Sequence, residues 1–160
     1  MRYWLMKSEP AECSIDDLAA MPGRRVPWFG VRNYQARNFM TREMSVGDGV
    51  LFYHSSCPQP GIAGLARVAS EAYPDETQFD PDSPYFDPKA SRDAPRWQNV
   101  DVAFVAKTRL VGLAELRAHP ELADLRVLAR GNRLSITPVT NDEWRFILCQ
   151  LLDADPDDVQ

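Results

Sequence analysis

The chain has 160 residues, 44% of them apolar, which suits one domain with a real core. No apolar run approaches the roughly 18 residues that span a membrane, the opening MRYWLMKSEP lacks the features of a signal peptide, and a net charge of −5 argues against a protein that coats nucleic acid by charge alone. Cys13, Cys57 and Cys149 are scattered without a CxxC, and His54 and His119 are the only histidines, so neither a disulfide framework nor a metal site nor any other cofactor is expected, and the expected compartment is a reducing cytoplasm.

Arg2-Tyr3-Trp4-Leu5-Met6-Lys7 reads as a strand with Tyr3, Leu5 and Lys7 on one face and Trp4 and Met6 on the other. Ser8-Glu9-Pro10 ends it, since Pro10 lacks a backbone donor. Ser14 caps a short helix whose first turn carries Asp16 and Asp17. The stretch from Trp28 to Ser55 then organises the chain. Trp28-Phe29-Gly30-Val31-Arg32 is an aromatic turn, Asn33 caps an Arg-rich helix through Phe39 and Met40, Val46-Gly47-Asp48-Gly49 turns, and Val50–Ser55 is a strand that begins apolar and ends on Tyr53-His54-Ser55.

Gly61–Val68 is a buried strand of small residues, where a backbone or a ligand can approach closely. Tyr73 to Arg96 carries Pro at 74, 81, 84, 88 and 95 and reads as a long loop, functional or mobile. Trp97–Leu110 holds a strong strand, Leu113–Arg117 a short helix, Pro120–Leu125 a second helical turn, and Leu134–Val139 a strand after the Gly131 turn. Thr140-Asn141-Asp142-Glu143 has the capping-box pattern and launches a helix with Trp144, Ile147, Leu148 and Leu151 on its apolar stripe. The sum is an α+β domain over 1–152 on a mixed or antiparallel sheet, open or curled into a barrel, followed by an acidic disordered tail over 153–160. Residues 1–68 hold eight Lys/Arg against six Asp/Glu, so basic character collects around the Trp28–Ser55 stretch.

Candidate functional residues follow from chemistry. Trp28 offers an aromatic face for a base taken out of its stack; Trp4, Trp97 and Trp144 lie inside regular elements and read as core. Lys7 and Ser8 place a charge and a hydroxyl at a strand exit. Asn33 has both donor and acceptor groups for a base edge, and equally suits a simple helix cap. His54 reads first as a buried, hydrogen-bonded histidine, because no carboxylate is paired with it in sequence. The phosphate candidates are Arg32 and Arg37 on the helix and Arg130 and Arg133 around Gly131.

Several blocks resemble the EVE domain, of the thymocyte nuclear protein type: Tyr3–Pro10, Trp28–Phe39, Gly47-Asp48 with Phe52–Ser55, Gly61–Gly64, Ala72–Asp75, Trp97 with Val100–Val102, Gly131–Ser135, and Pro138–Thr140 with Glu143-Trp144. They run in order through nearly residues 1–150. The departures are Val111-Gly112, in place of a Pro and a helix cap, and Cys13, in place of a larger residue; neither falls in the expected pocket. The resemblance implies a PUA-like fold, a curved mixed sheet or pseudo-barrel with flanking helices, similar to the YTH domain that cages a methylated adenine. It implies a monomeric reader that binds a modified base of DNA or RNA, without a reaction. Its pocket would be lined by Trp28, Lys7, Ser8, Glu9, Pro10, Asn33, Tyr53, His54, Ser55, Leu134 and Ser135. Two other readings stand beside it: an enzyme on a small nucleotide or modified base with His54 as general base and Glu9 as partner, and an adaptor that uses the Asp- and Pro-rich 74–96 loop.

Overall fold

A computed structural model describes residues 1–157. Strand β1 (Tyr3–Ser8) leads into helix α1 (Ile15–Ala20), where Ser14 and Asp17 form a reciprocal capping box. Strand β2 (Arg25–Pro27) is short, and helix α2 (Tyr34–Asn38) starts at Asn33, whose side chain accepts from the Ala36 N–H; the helix widens into a π turn over Phe39–Glu43. Strands β3 (Gly49–His54) and β4 (Gly61–Val68) follow, then the two-residue β5 (Tyr73–Pro74) and β6 (Gln98–Asn99), the long β7 (Asp101–Gly112), helix α3 (Leu113–Arg117), strand β8 (Ile136–Val139) and helix α4 (Asn141–Phe146), which continues as a π turn to Leu151.

Six strands form one mixed sheet in the order β2-β7-β4-β3-β1-β8, and β5 pairs with β6 apart from it. Among the described residues only β1 and β3 run parallel, with α1, β2 and α2 in the crossover. Register shifts between β3 and β4 and between β4 and β7 bend the sheet, as bulges do, yet β2 and β8 remain unpaired edges and no barrel closes. The five strands foreseen in the sequence all lie in this sheet. Strand β2, too short to signal itself by periodicity, is the sixth.

Alternation along β1 decides the two cores. Trp4 and Met6 pack with Phe52, Val102, α1 and α2 on one face; Leu5 packs with Leu51, Leu65, α3 and α4 on the other. Each face is thereby shielded by helices, and the sheet is the shared wall of both cores. The small residues of β4 admit the protein's own groups: a Cβ on Gly64 would lie 2.5 Å from the Ile15 side chain, and one on Gly61 2.5 Å from the Val111 carbonyl oxygen. The 74–96 loop is fastened rather than loose, because Asp75 and Gln78 inside it are fully buried. Over 153–157 the chain expected to be a disordered tail is bonded to the domain, the Ala154 N–H donating to the Leu148 carbonyl at 2.9 Å and Arg145 pairing with Asp157 at 3.0 Å. The remainder of that tail lies outside the described residues.

Candidate functional site

Because β1 and β3 are parallel, their C-terminal ends emerge side by side. The Ser55 N–H donates to the Ser8 carbonyl at 3.0 Å, and the Lys7 N–H donates to the Ser135 carbonyl at 2.8 Å, which gathers three serines from distant parts of the chain at one end of the sheet. A cavity of about 380 Å³ opens there, with Lys7, Ser8, Glu9, Ser55 and Ser135 on its floor side and Trp28 in its wall. Ser8 Oγ donates to the Cys13 carbonyl at 2.6 Å, so the hydroxyl meets the cavity as an acceptor.

Trp28 is 7% exposed. Its backbone N–H donates to the Val100 carbonyl at 2.8 Å, and its ring meets Phe52 edge-on at 5.5 Å. The residue is thus both core and cavity wall. Tyr85, brought from the 74–96 loop, lines the same cavity. Arg32 holds it there. Its guanidinium donates to the Tyr85 carbonyl at 2.7 and 3.1 Å, pairs with the buried Asp75 carboxylate at 3.0 Å, donates to Thr77 Oγ1 at 3.1 Å, and lies over the Tyr85 and Trp97 rings. Gly30, at φ +85°, makes room: a Cβ would sit 2.8 Å from the Tyr85 ring. The Tyr85 hydroxyl donates to both Glu12 oxygens at 2.7 and 2.9 Å, and burial followed by that carboxylate pushes its pKa up to about 12.

The charges around the cavity are divided. Lys7 is half-buried, enters no ion pair among the described residues, and has its pKa lowered by burial. Arg133 lines the same cavity and is exposed, likewise without an ion pair among the described residues. Glu9 and Glu12 stand against them. Such a cavity presents cations, carboxylates, hydroxyls and an aromatic side chain together, a set that fits a flat, polar, hydrogen-bonding ring.

Of the residues named from sequence, Lys7, Ser8, Glu9, Trp28, Ser55, Ser135 and Arg133 line this cavity. Pro10, Asn33, Tyr53, His54, Leu134, Arg32, Arg37 and Arg130 do not. Asn33 is the cap of α2, the simpler of its two expected roles. Tyr53 turns to the other core, beside Leu5 and Trp144. His54 Nε2 accepts from the Ile15 N–H at 3.1 Å, so its lone pair is engaged; burial lowers its pKa, and the charges that bear on it are Asp16, Lys107 and Asp17 rather than Glu9. Arg37 donates to the Arg96 carbonyl at 2.9 Å and to Asn38 Oδ1, and covers the Tyr34 ring. Leu134 donates its N–H to Asn132 Oδ1 within the turn, and Arg130 is exposed outside the cavity. Cys13, set aside in the sequence as remote from any pocket, is in fact part of the lining, with its thiol pKa raised by burial and by Asp17 and Glu12. Phe29, Glu12 and Tyr85 were missed. The adjacent aromatics Tyr85-Phe86, in a loop rich in Pro and Asp, were the one local sign of Tyr85's part in the lining.

The EVE domain family model matches residues 2–150. Human thymocyte nuclear protein 1 is 45% identical over 163 residues, covering 91% of this chain and 72% of that protein. The crystal structure of a Pseudomonas putida protein superposes with a TM-score of 0.87 at 53% identity, covering 92% of this chain and 97% of that one. The crystal structure of human THYN1 protein in complex with 5-methylcytosine-containing DNA superposes with a TM-score of 0.88 at 44% identity, covering 93% of this chain and 96% of that one. With the family's blocks in order along the chain, the mixed sheet and flanking helices in common, and these identities, the protein belongs to the EVE domain family.

Proposed function

We propose that this protein is a non-catalytic reader, acting as a monomer in the reducing cytoplasm, which holds one modified base of DNA or RNA, methylated in the first instance, in the cavity beside Trp28. The observation that carries the reading is the cavity itself: about 380 Å³, walled by Trp28, ringed by hydroxyls and by charges of both signs. The relative in complex with 5-methylcytosine-containing DNA supports it.

The base leaves its stack and lies against Trp28, a contact worth roughly 1–3 kcal/mol. A methyl group buried in the apolar part of the wall adds about 0.8 kcal/mol. Glu9 accepts from an exocyclic amine, as carboxylates do with cytosine, and Lys7 donates to a ring carbonyl. Arg133, with Arg130 beside it in the same turn, meets the phosphates. Arg32 and Arg37 act indirectly, by fastening the loop that brings Tyr85. The engaged lone pair of His54 counts against it as the general base of the alternative enzyme reading.

Fluorescence anisotropy with paired oligonucleotides, identical except for one 5-methylcytosine, tests the reading. Tighter binding of the modified strand, lost on Ser135→Trp to fill the cavity, is the expected result. Equal affinity for both strands, unaltered by filling the cavity, would sink it.

A further inference from the structure

One arc of the cavity lining, from Ser8 to Cys13 with Tyr85, has its protons committed inside the protein. The Ser8 hydroxyl donates to the Cys13 carbonyl at 2.6 Å, and the Glu12 and Cys13 N–H groups both donate to the Glu9 carbonyl at 2.9 Å. The Cys13 thiol, a weak donor, is turned to the Ser14 carbonyl at 3.7 Å. The Tyr85 hydroxyl donates to both Glu12 oxygens at 2.7 and 2.9 Å, and with its pKa pushed up to about 12 it keeps that proton at neutral pH. What this arc still offers a ligand is lone pairs: those of Ser8 Oγ, of Tyr85 Oη and of the Glu9 and Glu12 carboxylates. Donation to a carboxylate also polarises the phenol oxygen, which makes it the better acceptor. The neighbouring backbone adds no donor, because the Trp28 N–H is held by the Val100 carbonyl and the Gly30 N–H by Asp75, at 2.8 Å each.

We propose that this acceptor-only arc, with Glu12 held in place by Tyr85 as its specificity-determining residue, admits bases that carry an exocyclic amine and rejects their keto counterparts. The inference rests on the proposed reader function and deepens it beyond the single contact of Glu9. Cytosine presents an N4 amine, a donor; thymine presents O4, an acceptor, at the same place on its ring. Acceptors that face an acceptor go unpaired on both sides, and a site built for a donor rejects the analogue that lacks it more strongly than an apolar pocket can. The distinction matters because thymine carries the same C5 methyl group as 5-methylcytosine. An aromatic wall and an apolar niche for the methyl would hold either base. The Glu12–Tyr85 pair supplies the element that works against the wrong one.

The test measures affinity by fluorescence anisotropy for oligonucleotides of one sequence whose central base is cytosine, 5-methylcytosine or thymine. Wild type is expected to bind the 5-methylcytosine strand roughly tenfold or more tighter than the thymine strand. Glu12→Gln keeps the shape of the side chain and brings an amide donor to the arc. It is expected to bind the thymine strand tighter than wild type does and to narrow the ratio to about threefold or less. A gain of affinity is not what a loosened fold produces, and since Glu12 is exposed a thermal melt should match wild type. Tyr85→Phe, which leaves the carboxylate unheld, is expected to narrow the ratio by loss of 5-methylcytosine affinity. Wild type that binds the 5-methylcytosine and thymine strands equally, while preferring both to the cytosine strand, overturns the inference and leaves the reader function standing. So does a Glu12→Gln variant whose ratio is unchanged, or one that loses affinity for both strands alike. Wild type that binds the 5-methylcytosine strand no tighter than the cytosine strand condemns the reader function, and this inference with it.

Discussion

Trp28 belongs to two structures at once, and its variants separate them. The sequence places it in a loop, from which the fold would not suffer; the ring is instead packed in the core against Phe52. Trp28→Ala is expected to lower unfolding free energy by about 3–5 kcal/mol in urea denaturation, because it leaves a cavity. Trp28→Phe keeps an aromatic face and most of the stability, and its loss of affinity measures the stacking alone. His54 carries a pH dependence. Its folded pKa lies below the ordinary value because burial and the bond from Ile15 favour the neutral ring, so its contribution is present above about pH 6.5 and is lost as pH falls through that value toward the folded pKa. Thermal melts between pH 7.5 and 5 should show this decline, and His54→Gln should flatten it. At Arg133, free of ion pairs among the described residues, substitution by Ala should reduce the slope of log affinity against log salt by about 1 for modified and unmodified strands alike. Arg37→Ala should leave that slope in place, because its guanidinium is already bound to the Arg96 carbonyl.

The decisive element is the 74–96 loop, long and rich in proline, whose order comes from two buried polar side chains. Gln78 donates to the carbonyls of Asp75 and Trp97 at 2.7 Å each and accepts from the N–H groups of Arg96 and Trp97 at 2.9 and 3.0 Å, which satisfies backbone that strand pairing does not reach. Asp75, fully buried, ties the same loop to Arg32 and to the Gly30 N–H. Removing one partner of a buried ion pair leaves the other charge unpaired in a dry site. Arg32→Met is therefore expected to cost on the order of 3 kcal/mol by chemical denaturation. Amide exchange should rise first at residues 75–87, with Tyr85 leaving the cavity. Retained stability and an unchanged exchange pattern would contradict this account of the loop.

Across the whole molecule, one sheet serves as the wall between two apolar layers. Neither layer can melt without exposing one face of the strands that the other also uses. Unfolding should accordingly be a single transition. Far-ultraviolet circular dichroism and tryptophan fluorescence, which samples Trp4 and Trp28 on one face and Trp144 on the other, should give coincident curves. Separated midpoints would show that the layers fold independently. The cavity lies at the end of this sheet, where the parallel pair β1–β3 brings two strand exits together. Its floor therefore inherits the rigidity of the whole fold.

Local pattern in the sequence was enough for what has a short range. Alternation along Tyr3–Ser8 assigns the two faces and capping boxes at Ser14 and Thr140 start two helices; each depends on residues within a few positions of one another, as does each of the short blocks whose order identifies the domain. Lys7, Ser8, Trp28 and Ser55, which line the cavity, were legible as candidates because strand exits and an aromatic turn are local features. The rest depends on separation in sequence. Tyr85 faces Glu12 across 73 positions, and Arg32 reaches Asp75 across 43. No periodicity encodes such pairs, and five prolines made their loop look unstructured. Arg32 and Arg37 looked free on a helix surface, and only the packed loop gives them carbonyls and carboxylates to bind. Strand β2 is strand because β7 lies beside it, not because three residues prefer to be extended. Propensity and patterning act over one element and can be read from the chain; which charge is neutralised, which histidine lone pair is engaged and which aromatic ring meets water are decided by contacts that exist only after the chain has closed on itself.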